Sequence, residues 1–374
     1  MVSIEIHHTT AIKEREWENM LSSSDDAWLW HSYSWMQATA EVHSLQNHYF
    51  IATEGGRRIG GFPIQCSRTG SPLKWASSLL MGAAGPFCVR DGTTSMRRRL
   101  FSELTQSVIN WAREMNIEVL NCLLPPLARS NLENTRGVNP LYLAGWDDMS
   151  SVTLISNLSR PEYDLWLDLS HDARQQVNRA MSSRYVVQRA DWWEMLNEYY
   201  RVHVETYKRT GVTPHPKLYF EAIAKSAEQG HAVLWAALDP GGRAVAFHND
   251  ARYRDGEVYN TGCCETEHLR SGINYLLFWK AIMGAKEDGC RWYDLGEVFP
   301  HVKVGKVRGL TLFKQKFGGE LYRYYRGQIR LIEYPTLSDY ADSIPNFLMP
   351  VARLAVRRIL RPLITRRKCK TLGR

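Results

Sequence analysis

Between Gly289 and Gly319 the chain reads GCRWYDLGEVFPHVKVGKVRGLTLFKQKFGG. Cys290, Trp292 and Leu295 alternate with Arg291, Tyr293 and Asp294, as in a strand with one face in a core. A basic loop follows, then an aromatic–lysine pair, Phe313–Lys314, before a Gly-Gly turn. A cation held behind an aromatic ring, beside the end of a core strand, can present one positive charge to a developing oxyanion or to a phosphate. Lys314 is the candidate charge and Phe313 the candidate ring. Asp294, at the strand end, is the candidate base, with Glu297 just beyond it. Each also has a plainer reading: a lysine on an exposed edge strand, a core phenylalanine, carboxylates that cap. Attack of an amine on an acyl ester or thioester needs such a set, since it requires a neutral amine, a stabilised oxyanion and room for the leaving group.

Two further groups of residues qualify. The strand pattern Val258–Cys264, a turn through Gly272 and a helix from Ile273 to Ala285 end in free helix N–H groups, which favour an anion. Arg270, Gly272 and Asn274 are therefore candidate donor-binding residues, against the reading of Gly272 as a packing glycine. Arg179, Tyr207, Lys208 and Arg209 are candidates for an anionic acceptor such as a diphosphate-linked sugar, because the guanidinium fork suits phosphate. Solvated helix charges are the competing reading. His203, His248 and His268 stand alone, no HExxH occurs among the twelve histidines, and no Ser-His-Asp or Cys-His order is visible. Covalent catalysis and zinc hydrolysis thus lack support, and no metal site is expected.

The elements that must position these residues repeat. Tyr49–Gln65 and Leu234–Asp250 each read strand, Gly-Gly-Arg turn, strand, 186 residues apart. Trp111–Cys122 and Gly284–Leu295 each read helix end into apolar strand, with Ala112 and Ala285 173 apart. A nearly constant offset predicts two copies of one α/β unit of roughly 150 residues. The join is expected between Asn134 and Glu162, giving an N-terminal unit over 1–150, a C-terminal unit over 151–335 and a tail over 336–374. Pro161–Leu169 reads as a strand pairing the halves. Asp172–Met181 reads as a helix with Ser170 as N-cap. Trp192–Thr210 reads as a helix with Trp193, Leu196, Tyr200, Val204 and Tyr207 on its apolar face, stopped at Gly211.

Charge belongs to the tail. Leu348–Arg374 holds nine Lys and Arg residues and no acid; without them a net charge of +8 becomes −1. A whole-surface nucleic-acid footprint is therefore not supported. Phe347, Leu348, Val351, Leu354, Ala355, Ile359 and Leu363 interleave with the arginines, as in a helix lying on an anionic membrane, at about 1 kcal/mol per well-placed cation. Binding of tRNA phosphates is the rival reading of the tail, and a disordered solubilising segment a third. The seven cysteines form no CxxC and no ligand spacing, which suits reduced, buried thiols in the cytoplasm. The N-terminus has no apolar signal-peptide region, and no run approaches the roughly 18 apolar residues of a spanning helix.

SGINYLLFWKAI, RWYDLG and GLTLFKQKFGGE, in that order, resemble segments of the FemABX peptidyltransferases, whose half-domains share the GNAT N-acyltransferase fold. LSHDARQQVNRA and HVETYKRTGVTPHP are similar to earlier segments of the same family, so the resemblance runs from about Trp30 to Arg330. It implies an α/β fold of two tandem GNAT-like domains, an acceptor groove on the first and an acyl-transfer channel in the second. It also implies that Phe313–Lys314 lies near the reacting carbonyl. The activity implied is transfer of an aminoacyl group from charged tRNA to an amine of a cell-envelope precursor, with no bound cofactor. Leu269 stands where the usual GNAT signature has Arg or Gln, and Asn274 where it has a small residue, which departs from standard acyl-CoA binding. Acyl-CoA-dependent acylation of an amino sugar, and a non-catalytic GNAT-fold binding protein, are the other expectations. The expected location is cytoplasmic, with peripheral attachment to the inner membrane face through 347–374.

Overall fold

The computed structural model describes residues 4–67, 75–77, 82–89, 93–134 and 137–331, so the tail and its membrane segment 347–374 lie outside the described residues. The first half contributes β1 (Ile4–Thr9), α1 (Glu14–Ser22), α2 (Tyr33–His43), β2 (Leu45–Glu54), β3 (Arg57–Ser67), β4 (Trp75–Ser77), β5 (Phe87–Cys88), α3 (Thr94–Glu114), β6 (Val119–Leu123), the short helices α4 (Arg129–Glu133) and α5 (Pro140–Leu143), and β7 (Asp147–Asp148). The second contributes β8 (Ser151–Asn157), α6 (Glu162–Asp168), α7 (His171–Ser182), β9 (Val186–Ala190), α8 (Trp192–Thr210), α9 (Lys217–Glu228), β10 (Ala232–Leu238), β11 (Ala244–Tyr253), β12 (Gly256–Cys264), α10 (Ile273–Glu287), β13 (Trp292–Val298), α11 (Gly305–Gln315), β14 (Glu320–Tyr324) and β15 (Arg326–Arg330).

The strands form two sheets, ordered β1-β2-β3-β4-β6-β15-β7, with β5 on β3, and β14-β8-β13-β12-β11-β10-β9. The predicted repeat is present strand for strand. In each unit an edge strand (β1, β9) leads through two helices into an antiparallel hairpin (β2–β3, β10–β11). Each unit then has a strand, a crossover helix and a parallel strand: β4, α3, β6 and β12, α10, β13. A parallel pair requires such a crossover. Both Gly-Gly-Arg turns sit where the pattern placed them.

The outer strands cross between units. β8, inside the expected join, inserts beside β13, while β15, near the end of the described chain, returns to pair with β6. The Asn134–Glu162 segment is thus more than a connector, and a cut into 1–150 and 151–335 assigns β15 to the wrong sheet. Pro161–Leu169 is a helix and not a strand: Pro161 precedes α6 with a pre-set φ, and Glu162 and Asp164 complement the first-turn dipole.

Helices cover both faces of the second sheet. Leu196, Tyr199 and Val202 of α8 and Phe220 of α9 share a core with Leu234 and Phe247. Val177 of α7 and Leu276 and Phe278 of α10 share another with Trp235, Tyr293 and Leu295. Residues of both parities in β13 are therefore inside, so Tyr293 and Asp294, read as outward-facing, are buried. The α8 face is turned one residue from the predicted one: Trp192 and Tyr199 are buried and Trp193 is 44% exposed. Ser170 caps α7 through Ala173 N, and α8 ends on the left-handed Gly211, as expected. The α8–α9 core is continuous with Trp17, Trp28 and Trp35 of the first unit, so the units meet through their paired helices, α2 packing on α9.

Candidate active site: a fork between two bulged strands

The parallel pairing of β12 and β13 lasts only from Gly256↔Trp292 to Val258↔Asp294. Just past it both strands bulge. Against β11, Asn260 is the extra residue between Tyr259 and Thr261; against β8, Leu295 is the extra residue between Asp294 and Gly296. A bulge bends its strand and re-aims side chains. Two bulges at one level split the sheet into a fork whose inner edges no longer pair with each other.

Helix α11 closes the fork against β13. The part of the expected basic loop from Gly305 onward forms its first turns, and Phe313–Lys314 occupy its last. Phe313 packs on Tyr275, Phe278 and Phe317, with ring centroids 5.0, 5.7 and 5.2 Å away, and so fixes the helix on α10. Lys314 points the other way and is buried, not set on an exposed edge strand. Its Nζ donates to the Glu297 carbonyl at 3.2 Å. The ring facing this ammonium is that of Tyr259, centroid at 5.5 Å, and not that of Phe313. Desolvation lowers Lys314 to about 8, opposed by Asp294 and Glu297.

Asp294 closes the other side. Its Oδ1 accepts from Thr153 Oγ1 at 2.5 Å and from Gly296 N at 2.7 Å. Desolvation raises its carboxyl to about 6, the two hydrogen bonds and Lys314 opposing. A cation with a pKa near 8 and a carboxylate near 6 coexist at neutral pH as charge stabiliser and proton acceptor, the pair that amine acylation needs. Thr153 and Tyr259 were not legible as site residues: each comes from a different strand, and nothing local marks it.

The donor candidates are placed differently. Gly272 caps α10 with φ +88°, and a Cβ there would lie 2.4 Å from the Gln176 carbonyl oxygen of α7. The glycine packs two helices, with α7 against the start of α10, and the Ile273 N–H is taken by Ser271 Oγ at 3.2 Å. Lys316 also ties the two helices, bonding Asp172 of α7 at 2.5 Å and Tyr275 Oη of α10 at 3.1 Å. Asn274 is half-buried against Cys264, and Arg270 is exposed. The acceptor candidates divide between the two faces of the sheet. Arg179 is exposed on α7. Tyr207, Lys208 and Arg209 lie on α8, across the sheet. Tyr207 packs on His203 in a tilted pair with centroids 3.9 Å apart, Arg209 bonds Thr266 Oγ1 and the Cys264 carbonyl, and Lys208 is exposed.

His248, Asp250 and Tyr293 form a buried array beneath the fork. His248 Nε2 lies 2.7 Å and Tyr293 Oη 2.9 Å from Asp250 Oδ1. Burial pushes Asp250 up to about 7 and His248 down to about 3. A separate cleft of about 560 Å³ opens at the other end of β12 and β13, lined by Trp28, Leu127, Arg129, Arg254, Arg291 and Trp292. None of the predicted residues lines it. Among the described residues no cluster of three or more His, Cys, Asp or Glu suits a metal ion, and no helix is long and apolar enough to cross a membrane. Six of the seven cysteines are buried, and Cys369 lies outside the described residues.

Residues 169–301 match the family of the acetyltransferase (GNAT) domain. No curated protein matches the sequence significantly. Among solved structures, FemX is similar over 85% of this chain and 96% of its own, at 15% identity and a TM-score of 0.65. L-PGS from Bacillus licheniformis is similar over 88% and 96%, at 14% identity and 0.54. A tandem GNAT protein from the clavulanic acid biosynthesis pathway is similar over 89% and 100%, at 11% identity and 0.52. The fork and its crossover helix thus lie in a GNAT-type acetyltransferase domain, and the chain is an acyltransferase with the FemX-like arrangement of two GNAT-type folds.

Proposed function

We propose that the protein transfers an aminoacyl group from charged tRNA to an amine of a cell-envelope precursor at the cytoplasmic face of the membrane. The observation that carries this reading is the close approach of α7 to the start of α10, where the Ile273 N–H is already bonded to Ser271 Oγ. A pyrophosphate needs open N–H groups at a helix N-terminus, and here the α7 backbone packs on Gly272. That argues against acyl-CoA held in the usual manner and favours a donor that engages the fork through its acyl ester. The similarity to FemX and L-PGS supports the same choice.

In this mechanism the acyl carbonyl enters the fork with its oxygen toward Lys314. The acceptor amine attacks, Lys314 stabilises the oxyanion, and Asp294 takes the amine proton. Collapse of the intermediate breaks the ester bond and releases the tRNA 3′ hydroxyl, which takes up a proton. Phe313 sets the helix, and Thr153 and Gly296 N orient the carboxylate. Tyr207, Lys208 and Arg209 are proposed to meet the acceptor and the tail 347–374 an anionic membrane. Gly272 and Asn274 serve packing rather than donor binding in this account, and Arg270 stays exposed.

The second reading, acylation of an amino sugar from acyl-CoA, is favoured by the acetyltransferase match over 169–301. The two are separated by supplying the full chain with an envelope extract and either a radiolabelled aminoacyl-tRNA pool or radiolabelled acetyl-CoA. The proposal expects base-stable label on an envelope product from the tRNA pool alone. Label from acetyl-CoA alone would replace it with the second reading.

A further inference from the structure

The site in the second sheet contains a charge delivered by the first. Arg326 opens β15, which pairs with β6 and β7 of the first sheet. Its Nη2 lies 2.8 Å from Glu297 Oε2 of β13, with the side chains 11% and 6% exposed. Glu297 is the residue whose carbonyl accepts from Lys314. The pair rests on this one contact, since Arg326 Nε and Glu297 Oε1 make no hydrogen bond. The Arg326 guanidinium also stacks 4.3 Å from the centroid of Tyr324, which precedes it by two residues at the end of β14. The chain thus passes from one sheet to the other within Tyr324–Arg326, and its first side chain on the new sheet reaches back into the fork.

A buried ion pair adds little to stability by itself, but removing one partner leaves an uncompensated charge that the surroundings must absorb. Here those surroundings are Lys314. The groups that face its ammonium are Asp294 and Glu297 from β13, the Tyr259 ring from β12 and, beyond Glu297, Arg326 from β15.

We propose that Arg326 is a positioning residue for the reacting centre: it neutralises and anchors Glu297, and so sets the place and the charge state of Lys314. This rests on the reading of Lys314 as the charge that stabilises the oxyanion. The consequence is that the two GNAT-type units are not independent, because the second unit's lysine is tuned by a strand of the first. The sign follows from the charges. Without Arg326 the Glu297 carboxylate acts on Lys314 unopposed and keeps it protonated to higher pH. Without the Glu297 charge, Arg326 stands unpaired behind the residue that Lys314 is bonded to and favours loss of the lysine proton at lower pH.

The test reads Lys314 directly. The full chain is labelled with trace acetic anhydride at a series of pH values, and acetylation of Lys314 is followed by mass spectrometry. Arg326→Met is expected to raise its midpoint by about one pH unit, and Glu297→Gln to lower it by about the same amount. The double variant is expected to return close to the wild-type value, and Arg326→Lys to stay there. If Arg326→Met does not fold, Glu297→Gln and Arg326→Lys still decide. An unchanged midpoint in Glu297→Gln, or single variants shifted in the same direction, would overturn the proposal and leave Arg326 a structural tie. The readout needs no donor or acceptor. A shifted midpoint in a protein that transfers nothing would therefore count against the aminoacyl-transfer reading alone.

Discussion

Lys314 Nζ occupies the space that a side chain on Gly296 would need: a Cβ there would lie 2.4 Å away. Gly296 also has φ +90°, a conformation that costs other residues of order 1–3 kcal/mol. The bulge of β13 and the position of the lysine are thus one feature. Gly296→Ala should displace the ammonium, which sits at the flexible end of its chain, more than it unfolds the protein. The expected result is a turnover loss of tenfold or more with only a modest fall in thermal midpoint. Equal turnover in Gly296→Ala would show that the ammonium need not sit at the bulge.

Gly272 should behave in the opposite way. The atom its side chain would meet is the main-chain oxygen of Gln176, which cannot swing aside. Gly272→Ala should lower stability by about 1–3 kcal/mol in chemical denaturation, while the Michaelis constant for the donor stays unchanged in the folded fraction. A selective loss of donor affinity with normal stability would return Gly272 to the donor site.

The buried Asp250 predicts a pH-dependent stabilisation. Its folded pKa, about 7, lies above that of an unfolded aspartate. Its contribution is therefore fully present below about pH 4 and is lost as pH rises through 7. Asp250→Asn keeps the acceptor oxygen for Tyr293 and His248 and removes this titration. The variant should gain stability over wild type between pH 5 and pH 8, read as a difference in thermal midpoint that grows with pH. A difference that is flat across this range would contradict the assignment. Glu257, whose carboxyl is pushed up by burial and by Asp250, is relieved of that neighbouring charge in the variant, which acts in the same direction.

The tail carries a prediction from sequence alone. Removing Leu348–Arg374 should release the protein from anionic vesicles and leave transfer to a soluble acceptor intact. Binding of the full chain should weaken as salt rises, because exposed charges are screened beyond about 8 Å at physiological ionic strength. Truncated protein that binds vesicles as well as the full chain would refute the membrane role. Loss of tRNA binding with vesicle binding intact would move the tail to the donor side.

What the sequence made legible was local. The Gly-Gly-Arg hairpins and the helix-to-strand passages are short-range patterns, and their fixed offset revealed the two units. Asp294 and Lys314 were visible because both lie within one stretch of chain. Their partners Thr153, Tyr259 and Arg326 come from β8, β12 and β15, and only the sheet order brings them together. Alternation misread β13 because helices bury both of its faces, so period two no longer separates inside from outside. Gly272 showed the pattern of an anion site, but whether its N–H groups are open depends on α7, about 100 residues earlier in the chain. The fork itself depends on two bulges, each one unpaired residue, for which Gly296 was the sole local sign.

The central claim is that Lys314, at the fork, stabilises the oxyanion of an aminoacyl transfer. Single-turnover transfer from radiolabelled aminoacyl-tRNA to an envelope acceptor, comparing wild type with Lys314→Met, tests it most directly. Methionine fills the buried space without the charge. The account predicts a rate lower by about 10²–10³, corresponding to about 2.7–4 kcal/mol of lost oxyanion stabilisation, with unchanged affinity for the acceptor. Lys314→Arg should also be impaired, because a planar fork does not replace a compact ammonium. An unchanged rate in folded Lys314→Met would contradict the account.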